Sequence, residues 1–324
     1  MSENKDSYRN VMKATSIFGG VQVFNILIAI VRSKCIALFI GPSGMGIASL
    51  LNSTLGLING VSNLGLERSA VKDISFAREN GNDAGVSRTI SVLKRLVWFT
   101  ACFGAVLMIL ASPWLSEFAF DSKEFTLSFI WISIALLFKQ FTHSQLAILQ
   151  GLRKLKDLAM ANLFGNFLGL LITVPLYYFF RIDAIVPAII LTALISFLFT
   201  YYYSNKVALV ASPVSSSEAF SEGKEMIQLG VMLSISSMIS LLVAYIIQIY
   251  ISQQGGVDEV GLYNAGFVIL NTYVGIIFTA MATDYFPRLA GIADDIIKIR
   301  KAVFEQAFIA ILIITPIIVV FLML

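Results

Sequence analysis

Charge is what this sequence has least of. Only 13% of its 324 residues are Asp, Glu, Lys or Arg, against about 25% in soluble domains, while 57% are hydrophobic. That balance leaves too few polar side chains to coat a globule of this size, which excludes a cytosolic enzyme, a nucleic-acid binder and a disordered chain. The net charge of +3 is too small to imply a nucleic-acid partner. Histidine occurs once, at His143, and cannot anchor a His-based metal site alone. The two cysteines, Cys35 and Cys102, lie in apolar stretches and supply neither a disulfide framework nor a ligand cluster. No cofactor and no metal is expected. The most telling shortage is of acid within the apolar runs, where carboxylates stand only at the edges: Glu67, Asp157, Asp183, Asp284 and Glu305.

What remains is an all-α polytopic membrane protein. A bilayer core takes roughly 20 apolar residues per helix, and about nine such runs occur: 16–39, 47–66, 96–115, 126–150, 158–180, 184–203, 227–251, 262–283 and 303–322. They read as helices because lipid offers no partner to an exposed backbone group, and they are too long and continuous for barrel strands. The first 15 residues are polar and carry no cleavable signal pattern. Eighteen of the 23 basic residues fall in the N-terminal segment and in the connections after spans 2, 4, 6 and 8, whereas the alternate connections hold only Lys123 and Arg181. The positive-inside rule therefore places the N-terminus in the cytoplasm. Trp98 then sits at the inner interface, with Trp114 and Trp131 at the outer one.

Three basic residues, Arg32, Lys34 and Lys139, remain inside spans. Lys34 lies near a span end, where its stem reaches the interface. Lys139 is about 20 Å of helix from either end of span 4, beyond the reach of any side chain, and so marks an aqueous cavity or pathway. His143 and Gln150 share its face. Polar stripes recur on span 1 (Gln22, Asn25, Arg32), span 2 (Asn52, Asn59, Asn63), span 5 (Asn162, Asn166, Thr173), span 7 (Ser234, Ser237, Gln248) and span 8 (Asn264, Asn271, Thr279). Spans 3, 6 and 9 show none, which suggests a central cavity lined by the other six. Single Asn, Ser, Thr and Gly residues in membrane helices most often serve packing and interhelical hydrogen bonds. The Gly56–Gly60 and Gly165–Gly169 pairs have small-xxx-small spacing and read as close helix contacts. A cavity with fixed positive charge and no carboxylate favours an anionic substrate and disfavours a cation channel.

Span 1, the turn GPSGMG at 41–46 and span 2 parallel span 7, the turn QQGGVDEVG at 253–261 and span 8. The offset of six helices makes this a parallel repeat, with substrate expected between two lobes. The expected division is a first six-helix lobe at 1–203, a Ser-rich cytoplasmic linker at 204–226, and a partial second lobe of three helices at 227–324. On this expectation the chain is a truncated gene product or a fragment of a longer protein. Three stretches resemble the O-antigen translocases, polysaccharide transporters of the multidrug/oligosaccharidyl-lipid/polysaccharide exporter superfamily. They are RSKCIALFIGPSGMGIASLLN at 32–52, LQGLRKLKDLAMANLFGN at 149–166, and GLYNAGFVILNTYVGIIFTAMATDYFPRLAGI at 261–292, with Asp284, Tyr285, Pro287 and Arg288 the most specific.

The resemblance implies a non-enzymatic flippase of the bacterial inner membrane. It would carry undecaprenyl-pyrophosphate-linked oligosaccharide across by alternating access, for lipopolysaccharide or a related surface polysaccharide. Its implied partners are that lipid-linked substrate, membrane lipids, a polysaccharide polymerase and a chain-length regulator. The candidate substrate-binding residues are Arg32, Lys139, His143, Asn25, Asn59, Asn162, Asn166, Gln248 and Asn271, with His143 also a candidate protonatable group. Two alternatives stand beside this reading. An ion-coupled drug exporter of the same superfamily would want an intramembrane carboxylate, and a polysaccharide polymerase would want a catalytic constellation in an outward loop; neither feature is present.

Overall fold

The computed structural model describes residues 2–206, 214–269 and 296–323, and these are helical nearly throughout, with no strand among them. They divide into one compact unit, Met1–Leu262, and a second, Tyr263–Leu324. In the first, α1 (Ser2–Ser62), α2 (Leu66–Glu79), α3 (Asp83–Phe120), α4 (Thr126–Gly151), α5 (Leu155–Phe180), α6 (Ile185–Asn205) and α7 (Ser216–Gly255) follow one another through turns of a few residues, with a 3₁₀ turn at Arg181–Ala184 and part of the connection 206–215 undescribed. Helix α8 (Val257–Ile269) begins after Gly256. In the second unit, α9 (Ile296–Met323) covers the ninth expected span.

The expected helix pair of spans 1 and 2 is continuous helix broken at one residue. Gly41 has φ 67 and ψ −172, and Pro42 opens the next helical arm, an assignment that suits glycine's tolerance of positive φ and proline's preference for a first helical position. Arg32 and Asn52 line one cavity, though 20 residues of straight helix would separate them by about 30 Å. The chain therefore folds back at Gly41.

The two glycine-rich turns of the repeat meet. A Cβ on Gly46 would overlap the Val257 carbonyl oxygen, and one on Gly261 would overlap the Pro42 carbonyl oxygen. Each turn needs its glycine where the other's backbone crosses.

Helix α2 and the long starts of α3 and α7 occupy what the sequence presented as polar connections. At 38 and 40 residues, α3 and α7 run to nearly 60 Å, about twice a bilayer core. The packing has two centres of different origin. In one, Leu50, Leu51 and Leu55 of α1 meet Met108, Phe129, Ile132, Leu136 and Ile185, all essentially inaccessible. Lipid tails are as apolar as these side chains, so close packing rather than water exclusion holds them. In the other, Leu66, Ala70 and Ile74 of α2 meet Ile90, Leu93, Ile148 and Leu152, with Met226 of α7 against them. This cluster sits under amphipathic helix, where water is the alternative and apolar burial stabilises directly.

Four helical stretches among the described residues are long and apolar enough to cross a membrane: Leu27–Ser62, Asp83–Phe120, Leu155–Asn205 and Glu218–Gly255. Helix α4 falls outside that set, and it carries Lys139, Gln140 and His143 mid-helix. It packs against α3 and α6, and Gln140 is buried.

Candidate functional site

A cavity of about 440 Å³ opens within the first unit, between α1, α4, α5 and α6. Ligand pockets commonly run from about 300 to 1,000 Å³. Both arms of α1 contribute, Arg32 from the first and Asn52 from the second; α4 adds Lys139, Thr142 and His143. Asn162, Thr173 and Tyr177 come from α5, and Thr192 and Ser196 from α6. No carboxylate is among the described residues that line it.

Arg32 reaches the cavity across α5. Its Nη2 donates to the Asn166 carbonyl oxygen at 3.0 Å, and a Cβ on Gly169 would lie 3.1 Å from the same nitrogen. The small residue thus leaves the guanidinium its berth. Asn166 also donates through Nδ2 to the Asn25 side-chain oxygen at 3.1 Å, which ties the first arm of α1 to α5 beside Arg32. The Arg32 Nε and the Thr142 hydroxyl are buried without a hydrogen-bond partner among the described residues. Lys139 makes no hydrogen bond or ion pair with any described residue. Buried donors are almost always satisfied, so unmet donors on α1 and α4 beside one cavity are what an acceptor-rich ligand would meet there.

At one end of the cavity the His143 Nδ1 stands 2.8 Å from Glu67 Oε2. Glu67 lies in the first turn of α2. Both side chains are more than a third exposed, so water reaches the pair.

Of the nine residues proposed from sequence, Arg32, Lys139, His143 and Asn162 line this cavity, and Asn25 and Asn166 brace Arg32 beside it. Gln248 lies elsewhere, in the seam between α1 and α7. There its side-chain oxygen accepts from Ser53 at 2.9 Å and Ser49 at 3.3 Å, and Thr54 donates to the Tyr245 hydroxyl. Asn59 is off the cavity wall, with a buried and unpartnered Oδ1. Asn271 lies outside the described residues.

Sequence reasoning did not single out Tyr177, Thr142, Thr192, Ser196 or Glu67. Helix α6 was read as lacking a polar stripe, yet Thr192 and Ser196 stand four apart, one helical turn, and could have been read as one. Gly165 and Gly169 do mark a close contact, since α6 passes at Ser196 and Thr192.

Residues 35–324 match the model of a family described as polysaccharide biosynthesis protein. The chain belongs to this family. Among relatives, a Shigella flexneri protein named as an O-antigen transporter is 25% identical over 300 residues, which make up 91% of this chain and 70% of the relative. Among solved structures, an inward-facing multidrug resistance MATE family transporter of the MOP superfamily superposes with a TM-score of 0.71 at 16% identity, covering 91% of this chain and 69% of that one. That likeness establishes the fold. The chain is thus a multi-pass membrane protein, helical nearly throughout its described residues, as its composition and its resemblance to the polysaccharide translocases led one to expect.

Proposed function

We propose that this protein transports a lipid-linked polysaccharide precursor, an undecaprenyl-pyrophosphate-linked oligosaccharide, across the bacterial inner membrane by alternating access. One observation carries the reading: Arg32 and Lys139 line a single cavity with no carboxylate among its described lining residues. A pyrophosphate presents several acceptor oxygens and negative charge to such a pair, while the lipid tail stays in the bilayer. The flanking Asn, Thr and Ser groups supply the donors and acceptors a sugar needs. The Shigella flexneri relative named as an O-antigen transporter supports the same substrate class.

In this reading the N-terminus is cytoplasmic, and the second half of the repeat begins with α7. The protein does no covalent chemistry; it lowers the cost of moving a charged headgroup through hydrocarbon.

The test is complementation of a strain lacking the gene. Lys139→Ala is expected at the membrane in wild-type amount with surface polysaccharide lost, and Lys139→Arg with it partly restored. Normal surface polysaccharide in Lys139→Ala cells would overturn the reading, as would efflux of cationic drugs by the purified protein.

A further inference from the structure

A second pocket lies well away from the transport cavity. It holds about 660 Å³ beside α3 and is lined by Ser91, Lys94, Arg95, Trp98, Phe99 and Val214. Four of these, Ser91, Lys94, Arg95 and Trp98, recur at helical spacing along α3 and so share one face. They mark the level where α3 passes from its polar beginning into its apolar length. Basic residues one turn before an aromatic pair is the order found at a membrane–water interface, with cations at headgroup depth and rings just below.

Val214, just before α7, is the described lining residue from outside α3, and the start of α7 packs on α3 beside the pocket. Phe99 packs against Phe220, ring centroids 5.1 Å apart, and Gly223 lets Leu96 close in, since a Cβ there would collide with the Leu96 side chain. Those contacts turn a helix face into a concave site.

The charges of the site are uncompensated for a structural reason. Two carboxylates stand on the first turns of α7, and both are engaged elsewhere. Glu218 closes a capping box with Ser215, and Glu222 takes Arg88 in a two-pronged ion pair, with Arg88 Nε to Oε2 at 2.8 Å. Arg88 thereby satisfies the Glu222 carboxylate. Neither Lys94 nor Arg95 makes a hydrogen bond or ion pair with a described residue, and both are exposed. Trp98 is 59% exposed, and its indole N–H has no described partner. The Ser91 hydroxyl already donates to the Ser87 carbonyl oxygen at 3.0 Å, so it shapes the pocket rather than donating to a ligand.

We propose that this pocket binds the phosphate headgroup of an anionic phospholipid, with Lys94 and Arg95 on the phosphate, the Trp98 indole N–H on the glycerol-ester region, and the Phe99–Phe220 pair against the upper acyl chain. Basic pockets between membrane helices are a recurrent way of holding such headgroups. The site clamps α3 to the start of α7 through a lipid. It does not depend on what the transport cavity carries.

The experiment is lipid retention by the whole protein, purified from nanodiscs of equimolar phosphatidylglycerol and phosphatidylethanolamine and analysed by native mass spectrometry. Wild type is expected to retain phosphatidylglycerol in clear excess, Lys94→Gln/Arg95→Gln to lose that excess, and the charge-keeping Lys94→Arg/Arg95→Lys to preserve it. A second arm reads Trp98 fluorescence in a Trp114→Phe/Trp131→Phe background. Dihexanoyl-phosphatidylglycerol is expected to shift the emission saturably, with the apparent Kd raised at least about fivefold by the Gln pair, while inorganic phosphate at equal concentration has no effect.

Equal retention of the two lipids, or undiminished retention by the Gln pair, would overturn the proposal. An equal response to inorganic phosphate would replace the lipid with a soluble phosphate ligand and overturn it as well. Surface polysaccharide in Lys94→Gln/Arg95→Gln cells reads the cavity's function separately, so failure of one reading does not masquerade as failure of the other.

Discussion

Lys139 was legible in the sequence because a charge inside an apolar run has no bland explanation at that depth: about 20 Å of helix separates it from either end of α4. Arg32 is placed by the fold: the berth at Gly169 and the Asn166 carbonyl hold its guanidinium beside the cavity. Tyr177, Thr192 and Glu67 were not legible, since each is ordinary in its own segment and becomes part of the site only when α1, α4, α5 and α6 converge. An ammonium without a protein partner opposes folding, which yields a stability prediction opposite in sign to the functional one. Lys139→Met, of similar shape, is expected to stabilise the bundle by on the order of 1–4 kcal/mol, read as a raised unfolding temperature in detergent, while transport is lost. A lowered unfolding temperature would mean that Lys139 holds the bundle together rather than serving a ligand. The His143–Glu67 contact calls for a cycle of substitutions. If the two act as one unit, His143→Gln and Glu67→Gln each impair transport and the double variant is no worse than either single one. The coupling is expected near the lower end of roughly 0.5–3 kcal/mol, because both groups are partly exposed and screened. Additive losses would show that they act separately.

The membrane helices were readable from hydropathy, but α2 and the extended starts of α3 and α7 were hidden in what looked like polar connection. Their signals were present in another form. Leu66, Ala70 and Ile74 recur every four residues on the buried face of α2, and Ser215 with Glu218 has the spacing of a capping box. A search for 20-residue apolar runs cannot see amphipathic periodicity. These elements also carry the pH dependence. The hydrogen bonds and charge of Arg88 hold the Glu222 carboxyl below the usual carboxylate range, and the backbone and hydroxyl of Ser215 do the same for Glu218. Depressed carboxylates stabilise above their unfolded pKa, and that contribution is lost as pH falls through the folded value. Hydrogen exchange over 216–226 is therefore expected to quicken on acidification below the ordinary carboxylate range, and Arg88→Ala to show the faster exchange already at neutral pH. Unchanged protection in Arg88→Ala would place the hold on α7 elsewhere, in the Phe99–Phe220 contact. Asp73 on α2 behaves oppositely: burial raises its pKa, Glu225 adds to the rise and Lys72 opposes it. Its stabilising share is complete at low pH and lost as pH rises through that raised value, so the two carboxylate effects partly cancel in a global melting curve. Segment-resolved exchange separates them.

At the scale of the molecule, the repeat was visible in the sequence only as two glycine-rich turns six helices apart, and identity between the halves was weak. The structure gives the glycines a physical reason, since Gly46 and Gly261 each lie where the other turn's backbone crosses. Backbone approach constrains residue size at these two positions without constraining the rest of either segment. The proposed direction of transport depends on which side those turns face, and charge decides this more firmly than fold does. Helix α4 is 26 residues long, about 39 Å, enough to cross the hydrocarbon core once. Asp121 with its positive φ ends α3 just before α4, and Arg153 with φ 49 stands just after it, so the turns at 121–125 and 152–154 lie at opposite ends of one crossing. The first holds Lys123 alone, whereas Arg153, Lys154 and Lys156 crowd the second. Positive residues are retained on the cytoplasmic side during insertion. Alkaline phosphatase fused after Ser122 is therefore expected to be exported and active, and the same enzyme fused after Lys154 to be inactive. Neutralising Arg153, Lys154 and Lys156 together should narrow that difference. The reverse pattern would place the basic connections outside and turn the lipid pocket of Lys94 and Arg95 to the outer leaflet. The cavity charge would stay where it is, but the proposed path of the headgroup would run the other way.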